Sequence, residues 1–278
     1  MKIKVVTLCS GYDSQCLALE RLKRDYPEFD YELVAWSEFD PESKSPLEKQ
    51  PAVIAHKALF PQSADKNLGD MTKIDWTQVP DFDLLTYSTP CQSISNSGLQ
   101  HGFEEGSGTR SSIIWNVRDA VRIKRPQYLL LENVKAMVSN KFVGMFNLWQ
   151  SELERLGYVN FAKVLNASDF GIPQHRQRIF LISIRADELD ALAGNVRYCF
   201  PKPFPLEKKL KDVLEEKVDE KYYLSDEVIQ RFLNDGRINS SQDGVVTEPD
   251  DVPPCHSAGH GNCPKVTEYG QEADEDNF

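Results

Sequence analysis

Three short segments of this chain bring together a thiol, a carboxyl and a pair of guanidiniums: Pro90-Cys91-Gln92, Glu132-Asn133-Val134 and Gln174-His175-Arg176-Gln177-Arg178. A cysteine thiolate is a strong, soft nucleophile, and more so where a cation or a helix N-terminus favours its charged form. Glu132 follows the apolar run Tyr128-Leu129-Leu130-Leu131, so it would be partly desolvated, which favours its protonated form and equips it to donate to a ring nitrogen. Guanidinium forks fit carboxylate and phosphate acceptors. Each residue also has an ordinary role open to it: Cys91 as a small buried hydrophobe, Glu132 as a cap or ion-pair partner, Arg178 as half of a structural ion pair.

The elements that must position these groups follow from periodicity. Strand patterns occur at Ile3 to Leu8, Tyr31 to Ser37, Asp83 to Ser88, Tyr128 to Leu131, Val159 to Leu165 and Arg178 to Ile184. Helical patterns occur at Gln15 to Arg24, Ile113 to Lys124 and Met145 to Leu156. Alternation of this kind predicts an α/β fold, a doubly wound and mostly parallel sheet covered on both faces, ending near Arg185. In such sheets ligands and catalytic groups gather at the carboxyl ends of the strands, where Cys91 and Glu132 stand. Beyond Arg185, Pro201, Pro203 and Pro205 break the pattern, a charged helical stretch is expected over Glu207 to Lys221, and Ser225 opens a short helix through Phe232. The tail Gln271 to Phe278 has too little apolar content to fold by itself.

Composition narrows the class. With 278 residues, 40% of them hydrophobic, the chain can bury a substantial core. No apolar run reaches the roughly 20 residues of a membrane helix, and the first strand begins at once with no signal-peptide pattern, so a soluble, cytoplasmic protein with no membrane partner is expected. Six widely spread cysteines read as reduced thiols. A net charge of -11 argues against a general polyanion binder and requires any nucleic-acid contact to be locally basic.

The first strand-to-helix turn, Ser10-Gly11-Tyr12-Asp13, has one glycine where a dinucleotide fingerprint wants three, and Asp13 would repel a pyrophosphate. Glu38 after the second strand is placed to accept from ribose hydroxyls, and Asp70 from an adenine amino group. That acidic lining suits an adenosine ligand without phosphates, although both acids are also readable as solvated loop residues.

Taken together, Thr89-Pro90-Cys91-Gln92-Ser93-Ile94-Ser95, Leu131-Glu132-Asn133-Val134, Arg110 to Trp115 and Asn166 to Arg178 resemble, in order and spacing, successive motifs of the cytosine-C5 DNA methyltransferases. Ser10 to Asp13 and Glu38 to Pro41 resemble that family's S-adenosylmethionine motifs, and the likeness runs from about Val5 to Arg185. The resemblance implies a catalytic domain over residues 1–185, an S-adenosyl-L-methionine cofactor and double-stranded DNA as partner. It implies a flipped cytosine attacked at C6 by Cys91, held and protonated at N3 by Glu132, and braced by Arg176 and Arg178. By the same resemblance Ser10, Gly11, Tyr12, Glu38, Phe39, Asp70, Met71 and Pro90 would bind the cofactor, and Gln92, Ser93, Ser95, Asn133 and Gln174 the substrate.

Three positions depart from the family pattern: Cys9 replaces an aromatic residue, Asp13 a glycine, and Asn116 a glutamate. The family's closing Gly-Asn motif has no counterpart, so residues 186–278 are expected to hold a linker and an incomplete target-recognition region. The chain would then be a truncated enzyme, or half of a split one needing a complementing C-terminal fragment. Cys255, His256, His260 and Cys263 do not follow a standard zinc spacing, and no metal is expected. A catalytically silent subunit and an RNA cytosine methyltransferase are the alternatives.

Overall fold

The computed structural model describes residues 2–95, 101–191, 198–228 and 230. The chain divides into two units, Met1–Val164 with Arg178–Cys199 and Leu165–Gln177 with Phe200–Phe278. Expectations about the end of the helix through Phe232, the Cys255–Cys263 cluster and the acidic tail lie outside the described residues.

In the first unit, β1 (Lys2–Leu8), α1 (Ser14–Asp25) and β2 (Asp30–Ser37) form the opening strand-helix-strand unit. They are followed by α2 (Pro51–Leu59), β3 (Leu84–Tyr87), α3 (Val117–Lys124), β4 (Tyr128–Val134), α4 (Val143–Arg155), β5 (Tyr158–Asn166), β6 (Gln177–Arg185) and α5 (Ala186–Ala191). The sheet has six strands in the order β2-β1-β3-β4-β6-β5. Pairing is parallel from β2 through β1 and β3 to β4, and antiparallel between β4 and β6. The parallel strands read as continuous apolar runs because both of their faces are covered. On one face Leu85, Leu129 and Leu131 pack with Val117 and Val121 of α3 and Phe146, Trp149 and Leu153 of α4. On the other, Val5, Leu33 and Trp36 pack with Cys16 of α1 and Val53 of α2.

Four local expectations change. Strand β4 does not stop at Leu131: the antiparallel neighbour extends pairing so that Glu132 faces Phe180 and Asn133 faces Ile179, putting both chemical residues inside a strand. The expected helix from Ile113 is a 3₁₀ segment over Arg110–Asn116 that becomes α-helical only at Val117. The Ser112 hydroxyl donates to the Thr109 carbonyl at 2.7 Å and that of Ser111 to the Pro90 carbonyl at 2.7 Å, side-chain bonds that compete with a regular helical start. Helix α2 went unseen in the pattern because it is short, although Pro51 at its first turn is a fitting start.

The fourth change is in the second unit, where the stretch from Glu207 to Lys221 forms only the turns Leu210–Val213 and Glu220–Tyr222. Leu210 is the one buried apolar residue of that stretch and Val213 is half exposed, so there is no continuous stripe whose burial would sustain a helix.

Candidate active site

Because β1, β2, β3 and β4 run parallel, their carboxyl ends share one edge of the sheet, and antiparallel β6 begins there. Onto this edge fall the turn after β1, Glu38 and Phe39 after β2, the Pro90–Ser95 loop after β3, the Glu132-Asn133 end of β4 and Arg178 at the start of β6.

The Cys91 loop is held by its backbone and its neighbours. The Cys91 carbonyl accepts from the amides of Ile94 at 2.9 Å and Ser95 at 2.8 Å, closing a tight turn. Ser111 bridges the loop, accepting from the Ser93 amide at 3.2 Å while its hydroxyl donates to the Pro90 carbonyl. Asn133 is buried and donates to the Thr89 carbonyl at 2.9 Å, so the end of β4 grips the chain two residues before the thiol. Gln92 is exposed, whereas Ser93 is buried and Ser95 half-buried. Asn133→Ala is expected to leave the buried Thr89 carbonyl without its donor and to cost about 1–3 kcal/mol, read from the midpoint of denaturant unfolding.

Glu132 is not an isolated carboxyl. Arg178 Nε lies 3.1 Å from its Oε1, and the two side chains are 23% and 17% exposed, so the pair is largely shielded from water. Arg178 thereby reaches the general-acid candidate directly. Gln174 and Arg176 belong to the second unit, where the Arg176 amide donates to Asn166 Oδ1 at 2.9 Å and its carbonyl accepts from Ala167 at 3.1 Å. The Gln174 amide donates to the Ile172 carbonyl at 2.7 Å.

The turn after β1 carries three left-handed residues in five: Cys9 with φ 51°, Gly11 with φ 57° and Asp13 with φ 62°. For the two non-glycines this conformation costs on the order of 1 kcal/mol each and must be held by surrounding contacts. Gly11 donates its amide to Glu38 Oε2 at 2.6 Å, and nothing lies within 4 Å of where a Cβ would stand, so one face of the turn is open. Burial pushes the Glu38 carboxyl above its ordinary range, the Gly11 bond opposing it. Its backbone is fixed by Asn67, whose Oδ1 accepts from the Glu38 amide at 3.1 Å and the Gly69 amide at 2.9 Å.

Asp70 caps the turn that begins at Met71, accepting from the Thr72 amide at 3.0 Å and hydroxyl at 2.8 Å, with Lys73 Nζ at 3.2 Å. Partial burial raises its carboxyl, but the Thr72 and Lys73 contacts outweigh this and hold it below the usual range. Cys9 Sγ meets Met71 Sδ at 3.3 Å; burial and then the Glu38 charge push that thiol upward, so it remains a neutral wall. Ser10 is buried, donating its amide to the Ser37 carbonyl at 3.1 Å, while Tyr12 is 58% exposed.

Asp13 corrects an expectation. Its carboxylate is fully buried and turned inward, where it caps α1 through the Cys16 amide at 3.0 Å, so it does not face a ligand in the turn. Sequence reasoning also missed the supporting roles of Asn67, Ser111 and His56; of these only Ser111, inside the Arg110 to Trp115 segment, lay in a stretch the sequence singled out.

Residues 3–257 match the family model of the C-5 cytosine-specific DNA methylases. The chain belongs to that family. A type II methyltransferase of Lactococcus lactis subsp. cremoris, M2.ScrFI, is 46% identical over 160 residues, covering 58% of this chain and 42% of the relative. The orphan methyltransferase M.SPRI of Bacillus phage SPR is 29% identical over 289 residues, covering 94% of this chain and 61% of the relative. The methylase chain thus spans less than two-thirds of the length of either. Its fold is that of the S. pombe Dnmt2 methyltransferase, with a TM-score of 0.62 at 18% identity over 95% of this chain and 74% of that one. The α/β class read from the alternating pattern holds. Among the described residues no helix is long and apolar enough to cross a membrane.

Proposed function

We propose that this methylase transfers a methyl group from S-adenosyl-L-methionine to C5 of cytosine in double-stranded DNA, within a restriction-modification or phage system and in the cytoplasm. The observation that carries this reading is the joint support of two groups at one sheet edge: Asn133 fixes the Cys91 loop while its neighbour Glu132 is aligned by Arg178.

The residues at the first turn fit the proposed donor. S-adenosylmethionine has no phosphate and carries a positive sulfonium, and Glu38 and Asp70 are anionic groups suited to a cation, a ribose diol and an adenine amine. A carboxylate has acceptor capacity beyond the single bond that Glu38 makes with Gly11, and the open face of Gly11 admits the methionine part. Ser10, Tyr12, Phe39, Met71 and Pro90 are assigned to the same site. When bound, the cofactor supplies an electrophilic methyl group.

Cys91 Sγ forms a bond to C6 of a flipped cytosine as Glu132 protonates N3, and C5 becomes electron-rich enough to take the methyl. Water then takes the C5 proton as the Sγ–C6 bond breaks and the thiolate is restored, and the N3 proton returns to Glu132, leaving neutral 5-methylcytosine. Arg178 orients Glu132, Arg176 braces the pyrimidine or a phosphate, and Gln92, Ser93, Ser95, Asn133 and Gln174 shape the substrate side. Residues 1–185 constitute the catalytic domain, and residues 186–278 a linker and part of a target-recognition region.

Labelled methyl transfer to DNA and to tRNA, measured with the chain alone and with a family recognition fragment added, tests this. Incorporation into DNA is expected. Incorporation into tRNA alone assigns the RNA reaction instead, and none under any condition overturns the proposal in favour of a silent subunit.

A further inference from the structure

The other polar contacts of the Asp13 carboxylate have no part in the chemistry above. Oδ2 accepts the Thr7 hydroxyl at 2.6 Å from the end of β1, and His56 Nε2 approaches it at 3.2 Å from α2. The His56 and Asp13 side chains are both 0% exposed. The imidazole is stacked on Trp36 of β2, with ring centroids 3.6 Å apart and planes 12° from parallel, and it leans on Phe60 at 5.1 Å. Its Nδ1 has no hydrogen-bond partner, so Asp13 is the polar contact that orients the ring. A buried polar atom left unpartnered is a standing cost, and packing alone would be served as well by an apolar side chain of similar size.

The geometry of the strained turn gives this network its use. Thr7 precedes the turn and Asp13 closes it, so one carboxylate ties both of its ends to α2 and to the start of α1. Between them lie Cys9 and Gly11 in left-handed conformations, and the Gly11 amide reaches Glu38. A left-handed non-glycine persists only where its surroundings over-determine it. We infer that His56, with Thr7, is a positioning residue that holds the Cys9–Asp13 turn in the shape that receives S-adenosylmethionine, acting through Asp13 from the far side of the turn. This rests on the assignment of that turn to the cofactor.

Hydrogen exchange at the Gly11 amide, bonded to Glu38, and the Asp13 amide, which donates to the Ser10 carbonyl at 2.7 Å, in the full chain without cofactor, together with S-adenosylmethionine affinity by calorimetry, tests it. His56→Leu keeps bulk but removes the donor, and Thr7→Val removes the other donor without touching α2. His56→Gln keeps a donor at the same reach. Val53→Ala creates a cavity at a buried position on the same helix without touching the carboxylate.

His56→Leu and Thr7→Val are expected to speed exchange at Gly11 and Asp13 and to weaken S-adenosylmethionine binding, each by about tenfold or more. Val53→Ala and His56→Gln are expected to stay within about threefold of the unaltered chain on both readouts. Exchange and affinity in His56→Leu and Thr7→Val that match Val53→Ala would overturn the inference. If the unaltered chain binds no S-adenosylmethionine yet the exchange pattern is as expected, the cofactor assignment fails while the turn-holding role stands.

Discussion

Cys91→Ala is expected to lower methyl transfer by roughly 10⁴-fold or more, the scale seen when a covalent nucleophile is removed. The cytosine C5 carbon is too poor in electrons to take a methyl group until something adds at C6, and no other group at this sheet edge is assigned to that addition. The loop should survive the change. Its turn is closed by the Cys91 carbonyl accepting from Ile94 and Ser95, and its flanks are held by Ser111 and Asn133, none of which uses the thiol. Unfolding midpoints of the variant and the unaltered chain should therefore agree closely, while labelled methyl incorporation separates them. A variant that lost activity together with its cooperative unfolding would point to packing instead.

Glu132→Gln is the second large effect. The amide keeps an acceptor for Arg178 but cannot deliver a proton to N3, so transfer should fall by about 10²–10⁴-fold, the usual range for a general acid. The loss should appear in kcat more than in the KM for DNA, because proton donation strengthens as negative charge develops on the ring rather than in the ground state. Removing the charge from one side of the Arg178 pair costs stability as well, up to about 2 kcal/mol for a charged hydrogen bond of this exposure. Activity measured well below the unfolding midpoint separates the two contributions.

How far the sequence carried depended on where each residue's partners lie along the chain. The strands announced themselves because apolar runs such as Tyr128-Leu129-Leu130-Leu131 are a local signal of a sheet buried on both faces. The continuation of β4 to Val134 was not local: it depends on antiparallel pairing with β6, from Glu132 opposite Phe180 to Val134 opposite Arg178. Asp13 has both near and distant partners. By type and position it looked like an obstacle to an anionic ligand, but its carboxylate is turned inward by the Cys16 amide and the Thr7 hydroxyl, three and six residues away, and by His56, 43 residues away.

At the chemical edge, residue type and spacing indicated Cys91, Glu132 and Arg178, and the Glu132–Arg178 ion pair was among the roles open to them. What they did not indicate is the support. Asn133 reaches Thr89 across 44 positions and Ser111 reaches Pro90 across 21, and no periodicity encodes such contacts. Asp70 shows the reverse limit: a loop acid suited by position to an adenine amine also caps its own turn through Thr72.

The nucleophilic role of Cys91 can be read directly from DNA carrying 5-fluorocytosine, where fluorine replaces the C5 proton whose loss would release the enzyme. After incubation with that DNA and S-adenosylmethionine, denaturing mass spectrometry of the digested chain should find the nucleotide on the peptide containing Cys91, with no adduct in Cys91→Ala. An adduct on another cysteine, or one that persists in Cys91→Ala, would contradict the assignment.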